Sequence, residues 1–289
     1  GGIGDARITH PIVGGHEIAG VVVGGPLDGV RVAVDPAIPC HRCDLCGRGH
    51  PNLCRALAFA GHATCDGGLQ SYLAWPAARL YPLPEELSDA DGAMLEPLGV
   101  AVHAVDLGHI PLGGSVAVIG CGPIGLLLIE VARVAGAARV LAADPLAHRR
   151  LAAAARGANE VLDPADDGYA THLADFSAGQ GVDVAFEVAG TDPAIAAAMD
   201  AVRPGGRVVL AGIPSTDTSA FPANVARRKG LTITLVRRMK EVYPRATALV
   251  LAGLVDVRGL VSHRFPLTEV RDAFTAAVAR QGLKVVVEP

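Results

Sequence analysis

Ser115-Val-Ala-Val-Ile-Gly120-Cys-Gly-Pro-Ile-Gly125-Leu-Leu-Leu-Ile-Glu130 decides the fold. Val116 to Ile119 is a short apolar strand, and Ile124 to Ala135 has the pattern of a long apolar helix. Between them Gly120, Gly122 and Gly125 spell G-x-G-x-x-G, with Pro123 and Ile124 inside the turn. The first glycine permits a tight turn, the second lets the backbone approach a pyrophosphate, and the third lets the helix pack on the strand. Helix N-terminal amides then face the phosphates. Taken alone the motif is weak, because glycine turns join many strands to helices. Here Asp144 ends the next strand, 19 residues after Gly125. A carboxylate there accepts hydrogen bonds from both ribose hydroxyls and repels a 2′-phosphate, which favours NAD over NADP. The plainer alternative makes Asp144 a helix N-cap before Pro145. Arg149 and Arg150 lie close by; Arg149 joins the cofactor-binding candidates, and the pair leaves room for NADP. Cys121 reads as a small residue that fits the turn.

Working outward, strands and helices alternate. Arg139 to Ala143 reads as a strand, Leu146 to Arg156 as a helix, and Glu160 to Leu162 as a short strand. Val182 to Phe186 follows as a strand and Pro193 to Val202 as a helix, then Arg207 to Leu210 and Leu231 to Val236 as strands. Six strands with helical crossovers predict an α/β fold with a doubly wound parallel sheet, a Rossmann domain. After Tyr243 come a helix (Pro244 to Ala252), a strand-like Val261 to Phe265, another helix and a closing strand at Val285 to Val287.

The first hundred residues differ in texture. They are rich in Gly and Pro and read as short strands and loops, with Ile18 to Val23 and Val30 to Val34 as strands of a partly open barrel. Within them Cys40, Cys43, Cys46 and Cys54 read C-x2-C-x2-C-x7-C. Four thiolates on one short lobe, residues 38–56, match a closed tetrahedral zinc site, structural because no coordination position is left for substrate. An iron–sulfur cluster uses similar spacings, but such runs usually end in Cys-Pro, and Cys54 is followed by Arg55. Disulfides fit poorly with the tight spacing. Cys65 and Cys121 are left over as buried thiols.

Composition removes several classes of function. The 289 residues suffice for two domains, and the net charge of −4 offers no basic field for nucleic acid or an anionic membrane. No stretch approaches ~20 uninterrupted apolar residues, so no membrane span is expected. No secretory signal is visible, although the chain opens on Gly1. A cytoplasmic location is expected, since four of the six cysteines sit in a metal pattern.

Gly15-His16-Glu17 opens a strand in Pro11-Ile-Val-Gly-Gly-His-Glu-Ile-Ala-Gly20. Together with the cysteine lobe, Asp66-Gly-Gly68, Glu96-Pro97, the glycine turn, Arg203-Pro-Gly-Gly206 and the segment Arg238 to Pro244, it resembles the medium-chain dehydrogenase/reductase superfamily. Within that superfamily the chain is similar to the sorbitol (L-iditol) dehydrogenase branch over essentially its whole length. The resemblance implies a GroES-like, partly open β-barrel catalytic domain over 1–98, a Rossmann NAD-binding domain over 99–238, and a return to the catalytic domain over 239–289. It implies that His16 is a catalytic zinc ligand, with Glu17 the acidic residue that ligates or supports the metal. Glu96 would contact the zinc or its bound water; the plainer reading makes it a helix-start residue beside Pro97. Arg238 matches an arginine near the substrate, although Met239 stands where a tyrosine usually follows. A further cysteine ligand, some two dozen residues before His16, would fall upstream of Gly1, so the sequence reads as a fragment or one with an unrecorded start.

The implied activity is oxidation of a polyol or secondary alcohol: zinc acts as a Lewis acid on the oxygen and a hydride passes to NAD. A homodimer or homotetramer is implied too. Two rivals stand beside this reading. One is a zinc-free reductase of the same superfamily using NADPH, which the His-Glu strand, the quartet and Asp144 oppose. The other is a non-catalytic scaffold that binds NAD and zinc without a complete catalytic metal site.

Overall fold

β-Branched runs and glycine punctuation set the short elements of the chain, and a computed structural model describes residues 2–3, 6–7, 10–63 and 65–289. Two compact units result: one is Gly1–Arg7 with Val100–Arg237, the other Ile8–Gly99 with Arg238–Pro289.

In the second unit, β1 (Ile18–Val21), β2 (Arg31–Val34) and β3 (Leu80–Pro82) form an antiparallel sheet with Ile18 opposite Val34 and Val34 opposite Leu80. Val32, Ala33 and Val34 are buried, and Arg31 at the strand's start is held by Asp89. A single helical turn, α1 (Asp44–Gly47), lies inside the cysteine lobe.

The largest departure from expectation is α2 (Asp89–Gly108), a 20-residue helix in a region read as strands and loops. Its interior holds Gly92, Pro97 and Gly99, which by propensity end helices. Packing explains two of them. A Cβ on Gly92 would lie 2.5 Å from Leu83 and 2.9 Å from Ala19, and one on Gly99 would lie 2.3 Å from Met239 Sδ. The helix start is fixed reciprocally: Ser88 Oγ accepts the Asp91 N–H at 3.2 Å and Asp91 Oδ2 accepts the Ser88 N–H at 2.8 Å.

The first unit is a six-stranded, all-parallel sheet. It contains β4 (Ser115–Ile119), β5 (Arg139–Ala143), β6 (Glu160–Leu162), β7 (Val182–Glu187), β8 (Val202–Leu210) and β9 (Thr232–Leu235), in the spatial order β6-β5-β4-β7-β8-β9. That is the doubly wound order with its switch between β4 and β7. The crossovers are α3 (Pro123–Val134), α4 (Ala147–Ala155), α5 (Tyr169–Phe176), α6 (Asp192–Ala201) and α7 (Ala223–Lys229). Ile119, Leu141, Phe176, Val182, Ile195 and Val208 belong to its core. β8 starts earlier than the apolar run predicts, because pairing carries it through Arg203-Pro-Gly-Gly206 with a register shift against β7.

The chain closes in the second unit with α8 (Tyr243–Leu251), then β10 (Val261–Pro266) and β11 (Lys284–Glu288), paired in parallel and joined through α9 (Val270–Val278). Among the described residues no helix is long and apolar enough to cross a membrane.

Candidate metal centres and dinucleotide site

The four cysteines gather because α1 and the turn at Pro51–Leu53 fold the lobe back on itself. One ligand atom from each of Cys40, Cys43, Cys46 and Cys54 lies within 4.8 Å of every other. A tetrahedral zinc with bonds near ~2.3 Å needs sulfurs roughly 3.8 Å apart, a separation within that bound, so this donor set fits the ion. Backbone N–H groups already point at sulfur: Cys40 and Ala56 donate to Cys54 Sγ at 3.2 and 3.4 Å. N–H groups of Cys46 and Arg55 pull the Cys43 thiol down to about 6, while desolvation and neighbouring thiols push Cys46 up to about 12. Arg55 Nε reaches Asp44 Oδ1 at 2.8 Å, tying the end of the lobe to the start of α1.

The second cluster draws on distant positions. His16 and Glu17 precede β1, and Glu96 projects from the interior of α2, 5% exposed and eight residues into the helix rather than at its start. One donor atom from each lies within 4.8 Å of the other two. Burial lowers the pKa of His16, so it is the neutral imidazole that a metal needs; Glu17 opposes that shift. Burial, then the charge of Glu17, push Glu96 up to about 8, and Lys284 and Arg238 only partly offset this. Two carboxyls and a neutral imidazole converging in a buried place suit a divalent cation. Arg238, in a left-handed conformation at φ 56°, lays its guanidinium 3.4 Å from the centre of the Phe59 ring. Phe59 in turn packs against the His16 ring, centroids 5.4 Å apart. Met239, beside Arg238, is buried with its sulfur over Gly99.

The glycine turn has the expected shape. Gly120 has φ +106°, and a Cβ on it would press on the backbone of Val188 and Ala189 at 3.1 and 3.0 Å. A Cβ on Gly125 would sit 2.0 Å from the Gly120 carbonyl. Around Gly122 there is open space, its nearest neighbour being Arg149 Nη1 at 3.8 Å. Gly122 is the N-cap of α3, with Pro123 and Ile124 its first two residues. Asp144 is buried, and its carboxylate is partly committed: Oδ2 accepts the Cys121 N–H and Oδ1 the Leu146 N–H, both at 2.8 Å. Leu146, not Asp144, occupies the N-cap position of α4. Arg149 Nη1 stands 3.9 Å from Asp144 Oδ2, and Arg150 donates to the Asp144 carbonyl at 2.7 Å and pairs with Asp163. An open glycine backbone beside a buried carboxylate fits a dinucleotide.

Sequence reasoning missed Lys284, whose ammonium pairs with Glu17. It sits in Leu283-Lys-Val-Val-Val287, where no local signal links it to position 17. Phe59 was missed too.

Residues 123–252 match the family model described as "Zinc-binding dehydrogenase", and residues 2–85 match "Alcohol dehydrogenase GroES-like domain". The chain is 36% identical to the Aspergillus terreus protein named "Probable D-xylulose reductase A", over 99% of this chain and 84% of that one. It is 30% identical to sorbitol dehydrogenase of Bacillus subtilis, over 100% of this chain and 84% of the relative. Among solved structures it superposes on L-idonate 5-dehydrogenase from Escherichia coli with TM-score 0.91 at 28% identity, covering 100% and 85% of the two chains. This chain belongs to the zinc-dependent medium-chain dehydrogenase/reductase superfamily. Its place there is the sorbitol dehydrogenase-like branch.

Proposed function

We propose that this chain is the oxidoreductase that takes a hydride from the CH–OH group of a polyol or secondary alcohol and gives it to NAD. The observation that carries the reading is the convergence of His16, Glu17 and Glu96 donor atoms within 4.8 Å of one another, apart from a complete four-cysteine set. His16, Glu17 and Glu96 would hold the catalytic zinc, and Cys40, Cys43, Cys46 and Cys54 the structural one. A zinc held there supplies Lewis-acid polarisation of an alcohol oxygen. NAD bound along the glycine turn supplies the hydride acceptor.

The chain's own residues do the rest. Gly120, Gly122, Pro123, Ile124 and Gly125 let the pyrophosphate approach α3, and Asp144 selects the unphosphorylated ribose, with Arg149 lending a cation beside the turn. Glu96, which burial and the charge of Glu17 hold protonated near neutral pH while the site is empty, would give up that proton as it takes a zinc. Arg238, braced on Phe59, offers guanidinium donors to the further hydroxyls of a polyol. Met239 presents no hydroxyl, so polyol recognition rests on Arg238 in this reading. A homodimer or homotetramer paired through the first unit is part of the same proposal, supported by the position of β9 at the end of the parallel sheet. The reducing cytoplasm suits a set of free thiols.

The test is the initial rate of NADH formation over a panel of polyols and secondary alcohols, with and without a zinc chelator. Chelator-sensitive turnover with NAD and little with NADP is expected. If every alcohol is inert while both metal sites are filled, the assignment fails.

A further inference from the structure

Glu187 ends β7 and is only 1% exposed, yet the alcohol chemistry above gives it no task. Its carboxylate Oε1 accepts the Ala189 N–H at 2.7 Å and the Gly190 N–H at 2.6 Å. Its own carbonyl accepts the N–H groups of Ala211 and Gly212 at 2.8 and 3.0 Å. One residue therefore fixes the loop after β7 and the loop after β8. The two loops interlock: a Cβ on Gly190 would fall 2.4 Å from the Ile213 carbonyl oxygen, and one on Gly212 2.6 Å from Glu187 Oε2. The first loop also reaches the phosphate turn, since Val188 donates to the Ile119 carbonyl at 2.9 Å and Ala189 packs on Gly120.

Strand order gives this assembly a direction. Asp144 follows β5 on one side of the glycine turn, whereas Glu187 ends β7 and Gly212 follows β8 on the other. With the pyrophosphate at Gly120 and a ribose on Asp144, the other half of the dinucleotide lies over the carboxyl ends of β7 and β8. We propose that Glu187 is a positioning residue for the nicotinamide half of the cofactor, holding the 188–190 and 211–213 loops in the shape that receives it. Burial raises its pKa, and the backbone N–H groups of Gly190, Ala189, Thr191 and Gly212 resist that shift by favouring the charged form. A glutamine has nearly the same shape but carries no charge, and with its oxygen kept on the Ala189 and Gly190 N–H groups it sets an NH2 donor where the second carboxylate oxygen stood.

The inference rests on the NAD reading, and its test separates the two. NADH and ADP binding to the full chain are measured by titration for the unaltered protein and for Glu187→Gln, with the apo melting temperature as a folding control. The expected result is an NADH Kd raised about tenfold and an ADP Kd changed less than about twofold, with a melting temperature within about 3 °C. Glu187→Asp, which keeps the charge on a shorter arm, should recover part of the NADH affinity. Equal weakening of NADH and ADP would show a general collapse at the carboxyl end of the sheet, and no change in either would show an inert acid; both overturn the inference. If the unaltered chain binds neither probe, the cofactor reading falls and this inference falls with it.

Discussion

The two clusters of metal-ligand side chains in the second unit are built in opposite ways. The quartet takes every donor from the fifteen residues Cys40 to Cys54, and a short helical turn and a tight loop bring them together. The other cluster takes His16 and Glu17 from the edge of a strand and Glu96 from a long helix, with Lys284 reaching Glu17 from the closing strand. A site built from one loop carries its geometry in its spacing and has little reason to open. A site built across the fold depends on the packing of the whole unit, and such dependence is what lets a metal keep open positions and buried carboxyls beside it.

That contrast can be broken experimentally. The largest effect is expected from Cys46→Ser. Losing one thiolate should remove one zinc per chain and cost ~5 kcal/mol or more of apparent stability, since structural zinc sites contribute to folding outright. Metal analysis and thermal melts check it; an unchanged melt after metal loss would mean that the lobe is not cohesive. Glu96→Gln should do the reverse, cutting turnover by about a hundredfold, ~2.7 kcal/mol in the barrier. Measured without metal, its melting temperature should hold, because a neutral amide replaces a carboxyl that burial already keeps largely protonated at neutral pH.

A control lies in the first unit. Asp144→Ala should reduce the preference for NAD over NADP about tenfold, seen as the ratio of kcat/KM values, because it removes the repulsion of a 2′-phosphate. It should also cost about 1–2 kcal/mol of stability, since the buried Cys121 N–H loses its acceptor.

The smallest effect is the pH dependence of the metal-free protein. Glu96 has a folded pKa of about 8, raised from 4.5, so its contribution is full below pH 4.5 and is lost as pH rises toward 8. His16 has a lowered folded pKa, so its contribution is present above 6.5 and is lost as pH falls below that. Stability of the metal-free protein should therefore decline on both sides of the interval, by no more than about 2 kcal/mol at pH 8 once water penetration is allowed for. Added zinc should flatten the alkaline limb, which urea unfolding at fixed pH values would reveal.

How much of this was legible in the sequence follows the same contrast. The glycine turn, Asp144 and the quartet announce themselves through short-range spacing, and the strands of the parallel sheet through apolar runs. Helix α2 was hidden because Gly92, Pro97 and Gly99 look like breakers, whereas tertiary contacts with Leu83, Ala19 and Met239 require two of them to be small. His16, Glu17 and Glu96 were found through their combined resemblance to a family, not through any local pattern. Lys284 and Phe59 carry no local mark, because what matters about them is a neighbour far away in sequence.

The most direct test of the account is the zinc content per chain of the unaltered protein and of Glu96→Gln, measured by elemental analysis alongside turnover with NAD. Two zinc ions falling to one, with turnover down about a hundredfold and the quartet's zinc retained, is the result predicted here. One zinc in both proteins, removed only by Cys46→Ser, would contradict it and leave a dinucleotide-binding scaffold in place of an alcohol dehydrogenase.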